Sequence, residues 1–330
     1  MERRRLGRTG LRVPRLGFGC GAVGGLMVRG EAGERLRAVG RALEAGVRYF
    51  DTAPLYGDGR SEENLGRALA RLDQGREALV GTKVRLSAAD LEHPGAAVRR
   101  SLEGSLRRLG RERVELFQLH NPLGTAGPDR RPVAVDERLA LGEVADAMRR
   151  AVEDGLAGHV GFTGLGETAT LRRVLVSGRF ETVQAYFNAL DPSGVHPGAT
   201  GGEQDFDGLI GQATAADVGV IAIRVYAAGA LAATARRHPI AGEVDAALAG
   251  AGYEEDVDRA LPLARLAAEL GLEGGLELGL RFALAAPGVS VALVGLSSLE
   301  HLEAALRWES RGPLDPAAVD RVVALACGRA

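Results

Sequence analysis

The chain has 330 residues, and its 41 lysines and arginines almost balance its 43 aspartates and glutamates. Domains that bind nucleic acid usually carry a marked basic excess, so this balance argues against a nucleic-acid partner. The sequence is 46% hydrophobic, which suffices for a large core, but no apolar run approaches the length of a membrane span.

Two cysteines, Cys20 and Cys327, lie near opposite ends of the chain. The basic N-terminus is not followed by an apolar stretch, so it lacks the pattern of a secretory signal. We therefore expect a reduced, cytoplasmic protein with free thiols. Nothing in the sequence predicts an oligomeric state.

Predicted strands and helices alternate along the chain after an opening hairpin formed by residues 4–6 and 11–13. Strands are predicted over residues 15–20, 47–51, 78–83, 114–119, 158–163, 182–185, 218–224 and 289–294. Helices are predicted over residues 34–45, 61–72 (with Ser61 as N-cap), 95–109, 136–153, 167–176, 206–216, 256–270, 275–286, 299–307 and 316–326. Eight strands, each followed by a helix, predict an α/β fold of a single domain, residues 1–330. This fold is a (β/α)8 TIM barrel whose bottom is closed by the N-terminal β-hairpin.

The segment from Gly19 to Gly24 matches the G-x-G-x-x-G fingerprint of Rossmann dinucleotide-binding units. In such a unit the last glycine opens a long helix at once, whereas here Gly25 and Gly30 follow and predict no helix start. The nearest acid at a strand end is Asp51, which is further away than the usual spacing of about 20 residues. We therefore interpret these glycines as leaving the barrel mouth free of side chains, so that a flat ligand can approach the backbone.

Three neighbouring strands end in polar side chains. Asp51 ends the second strand, and Pro54 forces the chain out of the sheet shortly before Tyr56. Lys83 ends the third strand, and His120 follows the fourth. Each residue alone also fits an ordinary role, as a helix cap, a packed ring or a solvated side chain. Because the carboxyl ends of barrel strands meet at one rim, the four together indicate a catalytic site.

These four side chains suit the protonation of a carbonyl oxygen by a tyrosine, whose free pKa is about 10. An ammonium about 4 Å away contributes roughly 4 kcal/mol at an effective dielectric of about 20. We therefore expect Lys83 to lower the pKa of Tyr56 by up to about three units before desolvation subtracts its share. Asp51 would keep Lys83 charged, and His120 would bond the same substrate oxygen. General acid catalysis contributes only about 10²–10⁴ in rate, so a hydride donor is the natural complement.

No spacing typical of metal ligands, such as H-x-H or H-E-x-x-H, occurs in the sequence. A metal-dependent barrel hydrolase using Asp51, His120 and His159 would need a clustered ligand set, which the sequence does not offer. We therefore predict no metal site.

Several longer segments carry further information: LGRTGLRVPRLGFG, AGVRYFDTAPLYGDGRSEENLGRAL, GTKV, RSLEGSLRRLGRERVELFQLHNP, GHVGFTG and VQAYFN. In these segments, and over nearly its whole length, the sequence resembles the aldo-keto reductases. The resemblance implies a (β/α)8 barrel with an N-terminal hairpin and a catalytic tetrad of Asp51, Tyr56, Lys83 and His120, with Tyr56 as the acid. It also implies hydride transfer between an aldehyde or ketone and a nicotinamide cofactor that extends across the barrel mouth.

The same resemblance assigns cofactor contacts to several strand ends. Thr163 takes the place of a family serine and Gln184 that of a glutamine, and both would contact the nicotinamide carboxamide. Gly19 and Cys20 lie where the backbone would approach the nicotinamide ring. Asp51 is assigned to this cofactor site as well as to the tetrad.

After the seventh strand, relatives often carry an aromatic residue that stacks on the nicotinamide. Here Ile223 occupies that position, and the sequence leaves open whether Arg224 or Tyr226 replaces the aromatic ring. The long loop that follows contains Arg236 and Arg237, which could bring positive charge over the cofactor pyrophosphate.

The segment after the last strand is expected to hold cofactor phosphate. Gly295, Ser297 and Ser298 offer backbone N–H groups and hydroxyls at a helix N-terminus. Relatives that select NADP commonly carry an arginine in this segment and an asparagine one turn later, whereas this chain has His301 and Ala305. The resemblance therefore implies NADP, with NAD as the alternative.

The leading interpretation is an NAD(P)-dependent oxidoreductase acting on a small aldehyde, ketone or sugar, with a substrate pocket shaped by loops 121–135, 191–205 and 232–255. An NAD-dependent aldose 1-dehydrogenase is the alternative within this class, because the opening segments are most similar to the sugar-oxidising branch. From a different class, a cofactor-binding regulatory or sensor module with little turnover also occurs in this family, as in potassium-channel β-subunits.

Overall fold

The computed structural model of the protein describes residues 1–125, 133–200, 204–244 and 252–328. The three loops predicted to shape a substrate pocket therefore lie partly outside the described residues, at 126–132, 201–203 and 245–251. None of the described helices combines the length and the apolar composition needed to span a membrane.

The N-terminal hairpin pairs β1 (Arg3–Arg5) with β2 (Arg12–Pro14) in an antiparallel sheet. Gly10 completes the turn between them with a φ of 74°, a left-handed conformation that glycine adopts without steric cost. The side chain of Leu6, only 1% exposed, packs inside the barrel with Ile221. The hairpin thus closes the bottom of the barrel, as predicted.

Eight parallel strands form the closed barrel that the sequence predicts. In chain order they are β3 (Leu16–Gly19), β4 (Tyr49–Asp51), β5 (Leu79–Val84), β6 (Val114–Leu119), β7 (Ala157–Gly164), β8 (Thr182–Tyr186), β9 (Gly219–Ile223) and β10 (Val289–Gly295). Neighbouring strands in the chain are neighbours in the sheet, and β10 closes the barrel by pairing with β3. Their carboxyl ends therefore lie on one rim.

Helices surround the barrel. They are α1 (Leu26–Arg29), α2 (Ala32–Glu44), α3 (Arg60–Ala70), α4 (Pro94–Leu109), α5 (Glu137–Leu139), α6 (Ala145–Glu153), α7 (Thr168–Val176), α8 (Leu209–Ala215), α9 (Tyr253–Glu269), α10 (Gly275–Ala285), α11 (Leu299–Ser310) and α12 (Pro316–Ala326). A large apolar cluster fills the layer between helices and strands. Inside the barrel, below its polar rim, a second cluster consists of Leu6, Val13, Tyr49, Leu116, Ile221 and Val291.

Two helical segments differ from the prediction. A one-turn helix begins at Leu26, after left-handed Gly25, where no helix start was expected. The Leu26 N–H donates to the Leu296 carbonyl at 3.1 Å, so this turn ties the β3 loop to the end of β10 and is not the long helix of a Rossmann unit. The single helix predicted over 136–153 is interrupted at Gly142, whose φ and ψ of −91° and −114° are not helical.

The prediction that Ser61 caps α3 is wrong. The helix begins at Arg60, and its N-cap is left-handed Gly59. The Ser61 hydroxyl instead donates to the Cys20 carbonyl and lies 2.9 Å from the hydroxyl of Thr52. Ser61 therefore ties α3 to the rim ends of β3 and β4, beside the predicted catalytic residues.

Candidate active site

Asp51 ends β4 and is almost completely buried, with 2% exposure. Its Oδ1 accepts a hydrogen bond from Lys83. Its Oδ2 accepts from the Tyr49 hydroxyl at 3.0 Å, from Gln118 Nε2 at 3.2 Å and from Gln184 Nε2 at 2.6 Å. A buried carboxylate costs much free energy unless it is paired and hydrogen-bonded, and these donors meet that requirement. Asp51 is thus held in one position at the bottom of the mouth.

Lys83 lies on β5, next to β4, and is 1% exposed. Its ammonium group donates to Asp51, to the Thr52 carbonyl at 2.9 Å and to the Tyr56 hydroxyl at 3.3 Å. Burial alone would lower the pKa of Lys83, but Asp51 and Tyr56 more than offset it, and the net pKa is raised above its usual value. Lys83 is therefore charged at neutral pH, as predicted.

Tyr56 lies in the loop between β4 and α3 and is half-buried. Its backbone N–H donates to the Ala53 carbonyl at 3.1 Å, which fixes the loop that presents the ring to the mouth. Burial raises the pKa of Tyr56, and Lys83 opposes this only in part, so the net pKa lies above the ordinary value. Lys83 lowers this pKa, as predicted, but burial raises it by more than the ammonium lowers it.

His120 follows the last residue of β6, and its N–H donates to the Val84 carbonyl at 2.8 Å. Its ring meets that of Tyr56 edge-on, with the ring centres 6.0 Å apart. Burial, Lys83 and Arg85 hold the pKa of His120 well below its usual value. His120 is thus a neutral imidazole at physiological pH, and its buried Nδ1 has no hydrogen-bond partner among the described residues.

The predicted nicotinamide contacts lie at the same rim. The Thr163 hydroxyl donates to Gln184 Oε1 at 3.5 Å, so the two side chains meet. Gln184 also bonds Asp51, which joins it to the tetrad, a contact that sequence reasoning missed. Gly19 pairs in register with Asp51. The Cys20 N–H donates to the Asp51 carbonyl at 2.8 Å, whereas its thiol is buried in the apolar layer and burial raises its pKa, so only backbone of Cys20 can serve a ligand.

Of the two candidates for the aromatic position, Arg224 is the one whose charge acts on a residue of the predicted tetrad. Its charge lowers the pKa of Tyr56, although burial and Lys83 act on that pKa more strongly. Tyr226 packs against the apolar layer around the barrel, and its buried hydroxyl has no partner among the described residues. Ile223 packs against the apolar cluster inside the barrel.

The first turn of α11 has most of its N–H groups bonded within the protein. Ser297 and Ser298 are 6% and 7% exposed. The Ser298 hydroxyl caps the helix by accepting from the His301 N–H at 3.3 Å, and the Ser297 N–H points to His301 Nδ1 at 3.4 Å. The Leu299 N–H donates to the carboxylate of Glu34, on α2, at 3.1 Å. Gly295, at the end of β10, is exposed.

The loop after β9 crosses the rim towards this helix. Arg237 lies over the Tyr253 ring, 5.0 Å from its centre, and donates to the Gly242 carbonyl, so its guanidinium stabilises the loop itself. The Gly242 N–H donates to the Val23 carbonyl at 3.0 Å, which joins the loop to the β3 side of the mouth. Arg236 is exposed.

His159, considered for a metal site, lies near the amino end of β7, at the opposite end of the barrel from His120. Its Nδ1 lies 2.9 Å from Glu181 Oε1. The structure therefore does not bring His159 together with Asp51.

Sequence reasoning missed two of the groups that hold Asp51, namely Tyr49 and Gln118. Both carry polar atoms on the inner face of a strand, two residues before Asp51 and His120 respectively. Because side chains on a strand alternate between its faces, a polar residue two positions before a catalytic one points to the same side. This alternation was the available signal.

Comparison with known proteins shows which family the chain resembles. A family model described as the aldo/keto reductase family matches residues 15–326. The L-galactose dehydrogenase of Arabidopsis thaliana is 30% identical over 166 residues, which cover 50% of this chain and 49% of that protein. A D-threo-aldose 1-dehydrogenase of a Pseudomonas species is 29% identical over 212 residues, covering 53% of this chain and 60% of that protein. The chain thus matches about half the length of these curated relatives.

Among solved structures, the holo form of an aldo-keto reductase from Bacillus halodurans superposes with a TM-score of 0.71. The superposition covers 98% of this chain and 96% of that one at 22% identity, so this likeness concerns the fold. The family match extends from the first barrel strand through α12 and includes the four residues gathered around Tyr56. On this evidence the chain belongs to the aldo/keto reductase family.

Proposed function

We propose that this protein is a nicotinamide-dependent oxidoreductase that transfers a hydride to the carbonyl carbon of a small aldehyde, ketone or sugar. The observation that carries the proposal is the contact between a buried, charged lysine and a tyrosine at the barrel mouth. Lys83 Nζ lies 3.3 Å from the Tyr56 hydroxyl and is itself held by Asp51.

Tyr56 is the general acid in this proposal. Its raised pKa keeps it protonated at neutral pH, so it can donate its proton to the carbonyl oxygen as the carbon accepts the hydride. Lys83 then stabilises the tyrosinate that remains, because the ammonium already donates to that oxygen. Neutral His120 can donate one hydrogen bond to the substrate oxygen and orient it. In the oxidative direction the tyrosinate takes the proton back.

A nicotinamide dinucleotide supplies the hydride when bound. The residues present fit such a ligand, because the Thr163 hydroxyl and the Gln184 side chain lie together beside Asp51 at the rim. Thr163 and Gln184 offer a hydroxyl and an amide for a carboxamide group. The groups that would hold the remainder are Gly19, Cys20, Arg224, Gly295, Ser297 and Ser298.

The form of the cofactor is open between NADP, which the family resemblance implies, and NAD. The contacts at α11 support NAD. Glu34 already occupies the Leu299 N–H, and a carboxylate at this position would repel a 2′-phosphate. His301 offers little compensation, because burial and neighbouring His238 lower its pKa and favour the neutral imidazole.

Oxidation of a sugar is the second candidate direction. It is supported by the matches to an L-galactose dehydrogenase and to a D-threo-aldose 1-dehydrogenase, although each covers only about half of this chain. An aldose 1-dehydrogenase would use the same four residues, with Tyr56 acting as the base.

The test is a fluorescence titration with NADH and NADPH, followed by turnover of a generic aldehyde and of an aldose. We expect Tyr56→Phe to lower turnover at least about a hundredfold while cofactor affinity holds. Tyr253→Phe, which removes a hydroxyl outside the tetrad, is the matched control. Binding of a nucleotide without turnover of any carbonyl or sugar would favour a sensor role, and failure to bind either nucleotide would refute the proposal.

A further inference from the structure

Tyr49 lies inside the barrel, one layer below Asp51, and is only 1% exposed. Side chains on a strand alternate between its faces, so Tyr49 and Asp51, two residues apart on β4, both point to the interior. The ring belongs to the apolar cluster inside the barrel, together with Leu116 and Val291. Its hydroxyl donates to Asp51 Oδ2 at 3.0 Å. This phenol thus joins the apolar interior of the barrel to the candidate site.

Gly81, on β5, makes room for this hydrogen bond. It pairs in register with Asp51, and a Cβ built on it would lie 2.7 Å from the Tyr49 hydroxyl oxygen and 3.4 Å from Asp51 Oδ2. A separation of 2.7 Å is too short for a non-bonded carbon and oxygen, so a larger residue would displace the hydroxyl. The φ of Gly81 is not left-handed, so the backbone itself does not require glycine here. Glycine inside a strand often marks a close approach by another group, and here that group is the Tyr49 hydroxyl.

The Tyr49 hydroxyl is the donor in its bond with Asp51. Burial, followed by the charge of Asp51, raises the pKa of Tyr49 well above its usual value, so the phenol keeps its proton. An ionised carboxylate has only acceptor sites, so the phenol proton lies towards Asp51. Hydrogen bonds to charged groups contribute more than those between neutral groups, and a buried environment strengthens them. Tyr49 therefore helps to fix the orientation of the carboxylate.

The other oxygen of this carboxylate connects Tyr49 to Tyr56. Asp51 Oδ1 accepts a hydrogen bond from Lys83. The Lys83 ammonium also donates to the Thr52 carbonyl at 2.9 Å and to the Tyr56 hydroxyl at 3.3 Å. An ammonium has three N–H donors, and these three acceptors use all of them. A continuous chain of hydrogen bonds therefore leads from Tyr49 to Tyr56.

Two side-chain amides share Asp51 Oδ2 with the phenol. Gln118 Nε2 lies 3.2 Å from this oxygen, which makes it the longest of the three bonds. Gln184 Nε2 is closer, at 2.6 Å, but Gln184 also accepts from the Thr163 hydroxyl and is one of the residues that we propose for the nicotinamide carboxamide. The ring of Tyr49, in contrast, is fixed by packing. The phenol is thus the donor best suited to hold the carboxylate in one orientation.

We propose that Tyr49 is a positioning residue for the proposed reaction. Its hydroxyl orients Asp51 so that Lys83 stays within reach of Tyr56, where the ammonium stabilises the tyrosinate that forms as the proton leaves. Without this hydroxyl, Asp51 loses a donor, attracts Lys83 more strongly and draws it away from Tyr56. This inference rests on the proposed function, because it takes Tyr56 as the acid.

Tyr49→Phe removes the hydroxyl and keeps the ring. The measurement is the single-turnover rate of reduction of a generic aldehyde, followed by the loss of absorbance of the reduced nicotinamide. We expect this rate to fall about tenfold and its solvent deuterium isotope effect to increase, because proton donation by Tyr56 becomes less favourable. The affinities for nucleotide and aldehyde should change little, since Tyr49 lies below the rim. Tyr253→Phe, which removes a hydroxyl outside the candidate site, should leave the rate unchanged.

Gly81→Ala reaches the same hydrogen bond from β5. The added methyl group should displace the Tyr49 hydroxyl and lower the rate by a similar factor, about tenfold. In the Tyr49→Phe background the bond is already absent, so Gly81→Ala should lower the rate there by less than about threefold. Gly211→Ala, on α8, is the matched control, because its methyl group would meet nothing within 4 Å among the described residues outside its own helix.

Three results would overturn the inference. The first is a folded Tyr49→Phe protein with the wild-type rate and isotope effect, even if urea denaturation shows a loss of stability, because the role of Tyr49 would then be structural alone. The second is an equal loss from Gly81→Ala with and without the Tyr49 hydroxyl, because the two groups would then act independently. The third applies if Tyr49→Phe does not fold, and it is a wild-type rate in Gly81→Ala.

The proposed function is tested separately by the wild type. Its reduction of an aldehyde would leave the proposed function intact in each of these cases. A wild-type protein that neither binds a nucleotide nor reduces any carbonyl would refute both proposals.

Discussion

Lys83 and Asp51 form a buried ion pair across two adjacent strands, with side-chain exposures of 1% and 3%. The carboxylate receives donors from β4, β6 and β8 in addition to the lysine of β5. The pair therefore links half of the strands of the barrel at the level of the site. The proposed catalysis would therefore depend on atoms that also stabilise the fold.

Lys83→Met should lower the free energy of unfolding by about 3–5 kcal/mol, because it leaves a buried carboxylate without its cation. The double variant Lys83→Met/Asp51→Asn should recover most of this loss, since the remaining groups are neutral. Urea denaturation of both variants measures the difference. Equal destabilisation of the single and double variants would show that the loss comes from packing and not from the unpaired charge.

The pH dependence of carbonyl reduction should be flat between pH 8 and pH 6. Burial, Lys83 and Arg85 depress the pKa of His120, so the imidazole stays neutral throughout this range. Tyr56 stays protonated because its pKa is raised, and the rate should fall only in alkaline solution above the ordinary pKa of about 10. The measurement is the rate profile of wild type beside His120→Gln. An inflection near pH 6.5 that disappears in the variant would contradict the depressed pKa.

The same depressed pKa gives a prediction for stability. Below about pH 6.5 the unfolded chain protonates this histidine while the folded protein does not, so stability should fall as the pH drops through that value. His120→Gln should lose this component of the pH dependence. The measurement is the free energy of unfolding of wild type and of His120→Gln between pH 7 and pH 5. Parallel dependences on pH in the two proteins would contradict the depressed pKa of His120.

Glu34→Gln should tighten NADPH binding relative to NADH by roughly tenfold, because it removes a carboxylate from the N-terminus of α11 and keeps the acceptor for the Leu299 N–H. Wild type should bind NADH more tightly than NADPH. Glu31→Gln, at the exposed N-cap of α2, is the control. Fluorescence titration measures both ratios, and an unchanged preference in Glu34→Gln would mean that the 2′-phosphate lies elsewhere.

Asp191→Asn should stabilise the protein at neutral pH. Burial raises the pKa of Asp191 to about 6, so between pH 4 and 6 the folded state binds more protons than the unfolded state, and stability falls as the pH rises. The cost at pH 7.5 is at most about 3 kcal/mol. Asparagine keeps the acceptor for Ser193, so the variant should gain about 1–3 kcal/mol at pH 7.5 and nothing at pH 4.5. A variant no more stable than wild type at pH 7.5 in urea would contradict this.

The positions of three of the four central residues could be predicted from the sequence because each lies at or beside the end of a strand. Asp51, Lys83 and His120 come at the ends of apolar runs, and parallel strands deliver such residues to one rim. The pKa of Tyr56 could not be predicted in the same way. Its direction depends on how much burial opposes the lysine, and burial is set by parts of the chain far away in sequence.

Local conformation was the other source of error. Ser61 has the side chain of an N-cap, but left-handed Gly59 starts the helix earlier, and the serine hydroxyl bonds tertiary partners instead. The break at Gly142 is a second case in which local sequence was insufficient. Glycine weakens a helix, but its presence alone does not determine whether the helix is interrupted there. The contact of Glu34 with α11 joins segments 265 residues apart, and no local pattern signals it.

The hairpin that seals the bottom of the barrel has a kinetic consequence. Leu6 and the apolar side chains around it fill the barrel below the candidate site, so we expect ligands to reach Tyr56 from the rim. The proposed cofactor and substrate would therefore both enter and leave through the rim. Whichever of them binds deeper has to bind first and dissociate last. Product-inhibition patterns of this protein should accordingly be those of a compulsory-order sequence.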